Sequence, residues 1–205
     1  MNDHPFEKRG IPESLFCWGV WGLLTLFGLA YICRFGSVVP RSDDWYLVSQ
    51  LAGGQPLNWS WLWEPVADHR LPLQKLVVWL FWRLFDGNIK YALLAGFVPL
   101  AAAAAVVLYA AWRMRGKCEY FDAFFPMYLL HIGHGGIFLW WTTIGVPWNV
   151  ALGSLLISAF MLPSWHNSCW KILLIQCGIA LLVLNGSTGF LLSLPLTLAG
   201  LLVTT

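Results

Sequence analysis

In this chain of 205 residues, 59% are hydrophobic and only 11% charged, against roughly 25% charged in an ordinary soluble domain. A soluble core of this size has no use for so much apolar surface, and a net charge of +2 built from dispersed basic residues excludes the continuous positive face that nucleic acid requires. Backbone amides in hydrocarbon must be satisfied within their own segment, so the long apolar runs predict an all-α, polytopic transmembrane helix bundle, with the bilayer as first partner.

Lys8 and Arg9 precede a first apolar run over residues 14–33, which is long enough to span and lacks a small-x-small cleavage site. It therefore predicts a retained helix and not a signal peptide. Five further segments follow, at 91–112, 124–141, 144–162, 169–184 and 188–204, giving six expected spans in a single transmembrane domain over 1–205. Basic residues cluster before the first segment and after the second (Arg113, Arg115, Lys117), which predicts a cytoplasmic N-terminus by the positive-inside rule. Alternation then puts His166 and Lys171 inside and the segment 34–90 on the outer face. The alanine run 101–105 predicts a helix-packing face. Cys17, Cys33, Cys118, Cys169 and Cys177 lie in or at the ends of apolar runs without CxxC spacing and read as buried small hydrophobes.

The outer segment holds nine of the chain's twenty-two Asp, Glu, Lys and Arg residues between Arg41 and Asp86, yet it is dense in tryptophan. It predicts a folded loop lying on the membrane, with a short helix at 45–51 and an interfacial helix at 73–85 whose Lys75 and Arg83 snorkel towards water. Trp45, Trp59, Trp61, Trp63, Trp79 and Trp82 suit that depth.

Three features are candidates for chemistry. Asp43 and Asp44 follow the first span by ten residues; mutual repulsion and nearby apolar surface raise the pKa of at least one, fitting it as a general base. The alternative is that Asp43, Ser42 or Asp44 caps the helix starting near Trp45. Within the charged stretch 63–72, Arg70 and His69 offer the planar fork and imidazole donor of half a phosphate site; the alternative is a surface turn with Asp68 paired to Arg70 or Lys75. His131 and His134, among Gly133, Gly135 and Gly136, are ionisable groups in an apolar segment. Their i, i+3 spacing predicts one shared helix face, for a metal or proton site or for interhelical hydrogen bonds. No HExxH or Cys-His cluster is present, while hard carboxylate oxygens on Asp43 and Asp44 suit magnesium or manganese shared with a lipid phosphate.

The order of these pieces (span 14–33, Asp43-Asp44, interfacial helix 73–85, span 91–112) resembles the N-terminal module of the GT-C superfamily of membrane glycosyltransferases, which includes the protein O-mannosyltransferases and the lipid A aminoarabinose transferases. The stretches 68–72 and 122–134 are also similar to segments of bacterial membrane proteins placed near that superfamily. The resemblance covers residues 14–140 and implies transfer of a sugar from a polyprenyl-phosphate carrier to an acceptor on the extracytoplasmic face of a bacterial inner membrane. It implies that Asp43 or Asp44 is the base, that Arg70, His69 or Lys75 meets the departing lipid phosphate, and that the prenyl chain lies against the spans. Family members carry more spans, so the chain is expected to be a fragment of a longer protein. The rival reading is a non-enzymatic polytopic membrane protein, a complex subunit or transporter fragment, in which the acidic pair is a cap and the tryptophan loop an anchor.

Overall fold

A computed structural model describes residues 12–53, 57–67, 69–161 and 169–204; Lys8, Arg9, Asp68 and His166 lie outside these residues. Ten α-helices are seen among them: α1 (Glu13–Phe35), α2 (Trp45–Leu51), α3 (Trp59–Trp63), α4 (Pro72–Leu84), α5 (Lys90–Arg115), α6 (Phe124–Leu130), α7 (Gly135–Leu139), α8 (Gly145–Met161), α9 (Cys169–Leu184) and α10 (Ser187–Thr204). Short 3-10 turns precede α2, α6, α7 and α8. Extended pairing among the described residues is confined to one bridge between Val66 and His69.

Three stretches are long and apolar enough to cross a membrane: Glu13–Phe35, Lys90–Arg115 and Trp141–Met161. Each is apolar on every side, as a helix facing hydrocarbon or packed protein all round must be. The α5 helix stops where Gly116 takes a left-handed φ of 73° and its N–H caps the Trp112 carbonyl, with Arg113 and Arg115 in the last turn. Glycine reaches that conformation without the Cβ penalty, and the arginines complement the negative helix end.

The segment 124–141, expected as one span, is not one continuous helix. Its helix ends at Leu130, where His131 turns extended (φ −69°, ψ 147°) and its Nδ1 accepts the Gly133 N–H at 3.0 Å. After a 3-10 turn and the five-residue α7, the backbone extends again at Trp140. Gly133, Gly135 and Gly136 supply the cause, since each weakens a helix by about 1 kcal/mol relative to alanine, and the imidazole gives the freed amide another acceptor. Elsewhere the expected elements stand with small shifts. The helix expected over 73–85 begins at Pro72, fixed by proline in its first turn, and α3 adds a helix within the 34–90 segment.

Packing follows from close approach of small residues. A Cβ on Gly28 of α1 would collide with the Phe97 ring of α5, and Gly96 of α5 lies against Ile144. Ala101, Ala103 and Ala104 are buried, as the alanine run predicts. Indole donors reach across the helices as well, from Trp21 Nε1 to the Ala101 carbonyl at 2.9 Å and from Trp148 Nε1 to the Ala95 carbonyl at 2.8 Å. In hydrocarbon such packing and hydrogen bonding replace the water-exclusion term that holds a soluble core. The cysteine expectation holds for Cys17 and Cys118 but not for Cys33 and Cys177, which are exposed on helix surfaces.

Contacts between ends set the direction of each segment. Cys17 Sγ donates to the Glu119 carbonyl, so α1 begins beside the loop that leaves α5. Trp141 Nε1 donates to the Ser37 carbonyl, so α1 ends beside the start of the α8 stretch, and Asn185 Nδ2 donates to the Gly145 carbonyl, so α9 ends there too. The described residues of the segment 36–89 are gathered at this same end, through Ser37, Gln74 and His69.

Candidate functional site

The loop end is organised by the turn Ser42–Asp44. Asp44 is 1% exposed. Its Oδ2 accepts the Arg41 N–H at 3.0 Å, and its Oδ1 accepts the Thr142 N–H at 3.0 Å and the Thr142 hydroxyl at 3.1 Å. Burial pushes the Asp44 carboxyl above the usual carboxylate range, and the donors on Arg41 and Thr142 only partly offset it. One member of the pair is thus raised by desolvation. Asp44 is the capping residue of the turn, and both its oxygens are engaged. Asp43 is exposed, with the Ser42 hydroxyl 3.4 Å from its Oδ1. The two carboxylates therefore do not present a shared oxygen cage for a divalent ion, and among the described residues no three His, Cys, Asp or Glu side chains converge on a metal position.

The second stretch is a tight loop in which Val66 and His69 exchange both backbone hydrogen bonds, at 2.8 and 3.0 Å, around Ala67 at a φ of 52°. His69 Nδ1 lies 3.3 Å from the Ser187 hydroxyl, joining this loop to the start of α10. Arg70 is exposed.

Lys75 corrects the snorkelling expectation. It is 2% exposed, donates to the carbonyls of Trp61 and Glu64 at 2.7 Å each, and stands 5.0 Å over the Trp61 ring. Burial pulls its pKa below the ordinary lysine value, with Glu64 acting in the opposite sense. Its charge holds α3 on α4 because two carbonyls and an indole face replace the water it has lost. Of the three cations expected near a lipid phosphate, Arg70 and His69 are the ones on the exposed surface.

Six residues outside the three candidate stretches complete the site. Gln74 Nε2 donates to the Trp141 carbonyl at 3.4 Å, and Asn185 Nδ2 donates to the Gly145 carbonyl at 2.7 Å and to Asn149 Oδ1 at 2.9 Å. With Trp141 and Thr142, these side chains link Asp44 to the α8 start and the α9–α10 corner. Gly145 sits against the side-chain amide oxygens of Gln74 and Asn185, where any Cβ would clash. The signal that could have found them is polarity within apolar runs, visible at Asn149; Gln74 and Asn185 sit near helix ends, where amides pass for ordinary turn or surface residues.

His131 and His134 do not share a helix face, because the break falls between them. The break nonetheless brings their rings together, with centroids 4.0 Å apart and planes tilted by 43°.

No protein-family model matches the chain, and neither a curated protein nor a solved structure shows significant similarity to it.

Proposed function

We propose that the chain is a membrane glycosyltransferase, or the N-terminal part of one, which transfers a sugar from a polyprenyl-phosphate donor to an acceptor on the extracytoplasmic face. The observation that carries this reading is the asymmetry of the acidic pair: Asp44 is locked to Thr142, and that lock holds Asp43 as an exposed carboxylate at the loop end of the bundle. In the proposed reaction Asp43 takes the proton of the acceptor hydroxyl as its oxygen bonds to the anomeric carbon. The bond from that carbon to the phosphate oxygen breaks, and the lipid phosphate leaves with the electron pair. Arg70 would meet its developing charge with the His69 imidazole beside it, and an ion such as magnesium or manganese would be held by Asp43 and the phosphate.

The six-span topology belongs to this proposal. The broken segment α6–α7 and the shorter apolar helices Leu173–Leu184 and Ser187–Leu198 would join the three long stretches, with the N-terminus cytoplasmic in a bacterial inner membrane. Cysteine labelling at position 43 in intact cells tests the orientation; protection from an impermeant reagent would place the acidic pair on the wrong side for this chemistry.

Loss of a general base costs about 100- to 10,000-fold. Asp43→Asn should therefore abolish sugar transfer from a polyprenyl-phosphate donor in proteoliposomes while the protein still expresses and purifies. Full activity in Asp43→Asn and in Asp44→Asn would end the enzyme reading. One observation favours the non-enzymatic rival: Asp44 and Lys75 are wholly engaged in holding the loop together. A complex subunit should co-purify with a stoichiometric partner, whereas a solitary active chain would not.

A further inference from the structure

The strap over residues 37–44 is pinned at both ends to one dipeptide, Trp141 and Thr142. At its start the Ser37 carbonyl accepts the Trp141 indole N–H at 3.2 Å, and at its end Asp44 Oδ1 accepts the Thr142 N–H at 3.0 Å. Trp141 is fully buried, with its ring against Trp82 and its carbonyl taking the Gln74 amide. Between the pins the backbone passes through Ser42 at a left-handed φ of 47°, a conformation that a residue other than glycine keeps only where its surroundings fix it. The strap is a held shape, and the groups it carries outward have a set position relative to Asp43.

Arg41 is one of them. It is exposed, and its N–H is fixed on Asp44 Oδ2 at 3.0 Å. Two residues of chain span at most about 7 Å, so the guanidinium works within reach of whatever Asp43 touches. Among the described residues no ion pair engages Arg41. Val38 and Val39, on the same strap, are 52% and 61% exposed. A cation beside an exposed aliphatic pair suits an amphiphile with an anionic head and a hydrocarbon tail. The Asp43 carboxylate repels such a head, so binding next to it depends on an adjacent positive charge. Arg70 and His69 are fixed instead at the α9–α10 corner, where the Arg70 carbonyl faces Gly186 and His69 Nδ1 meets the Ser187 hydroxyl.

We infer that Arg41 binds the phosphate of the lipid-linked donor through its planar guanidinium, and that Val38 and Val39 bear on the first isoprene units of the lipid. The inference rests on the glycosyltransferase reading for the identity of the lipid and on the strap alone for the position of the cation.

The test titrates the full chain in phosphatidylcholine nanodiscs with undecaprenyl phosphate. Saturable binding is expected, and Arg41→Gln should weaken it about 10- to 100-fold, the loss of a hydrogen bond to a charged group. Trp141→Phe keeps a ring in place and frees the start of the strap; it should weaken binding in the same direction and by less. Undecaprenol, which lacks the phosphate, should bind equally to the wild type and to Arg41→Gln. An affinity for undecaprenyl phosphate that Arg41→Gln leaves unchanged would overturn the inference. So would full displacement by phosphatidylglycerol at equal mole fraction, which would make the strap a general headgroup contact, or by inorganic phosphate, which would make it a free-anion site. In the transfer assay Arg41→Gln should raise the donor KM. Loss of transfer in Asp43→Asn with an unaltered Arg41→Gln sinks the inference and spares the enzyme reading; full activity in both aspartate variants, with binding still dependent on Arg41, does the reverse.

Discussion

The turns at 41–44 and 119–122 are built alike, and the fold uses them in opposite ways. Each places an aspartate three residues after a backbone N–H that it accepts, from Arg41 to Asp44 at 3.0 Å and from Glu119 to Asp122 at 2.9 Å, and each leads into a seven-residue helix. Both aspartates are buried. The difference lies in the second carboxylate oxygen. Asp44 turns it to the uncharged Thr142, 98 residues away, whereas Asp122 turns it to the Arg115 guanidinium only seven residues back. Burial alone would raise Asp122, but the arginine and the Glu119 N–H outweigh it and hold the carboxyl below the usual range, while Asp44 stays above. A local capping pattern therefore fixes a turn but not the electrostatic character of the residue that makes it.

That contrast can be broken in several ways. The largest stability loss is expected for Arg115→Ala, which strands a buried charge on Asp122 and should lower unfolding free energy by about 3 kcal/mol. Asp44→Ala leaves three donors unanswered but no stranded charge, and should cost about 2 kcal/mol. Chemical unfolding in detergent would measure both; a reversal of their order would mean that the charge on Asp122 is not what distinguishes the turns.

Acid titration sharpens the difference because the signs are opposite. Asp44, raised in the folded state, contributes stability that is present below the ordinary Asp value of about 3.9 and is lost as pH rises through its higher folded value. The wild type should therefore gain on Asp44→Asn as pH falls from 7 towards 4. Asp122, depressed in the folded state, contributes stability that is present above about 3.9 and lost as pH falls through its folded value, so the wild type should lose ground to Asp122→Asn below pH 4. Parallel pH curves for the two pairs would contradict the assignment. The smallest effect is expected for Thr142→Val, which removes one hydroxyl donor and keeps the N–H to Asp44, at a cost of about 1 kcal/mol.

Much of the architecture was legible in composition and run length. The apolar length of α1 and α5, enough to cross a membrane, and the Gly116 stop with its flanking arginines are written in the sequence. The helix at 45–51 was legible to the residue. The unwinding of 124–141 was signalled by Gly133, Gly135 and Gly136, but apolar run length concealed it, because hydropathy measures where a segment can lie and not whether its backbone stays helical. The candidate site was half legible. Asp43 and Asp44 stood out as adjacent carboxylates; which of them is locked depends on Thr142, and no local signal pairs residues so far apart.

The sequence by itself determined that this chain forms helices with stretches long and apolar enough to cross a membrane, since apolar length and intrasegment hydrogen bonding are local properties. Tertiary structure alone decided that Asp44 is buried and Asp43 exposed, that Lys75 serves the loop and not the surface, and that the two histidines meet across a break. Burial and partner identity, which set charge state and access, arise only when segments distant in the chain close upon one another.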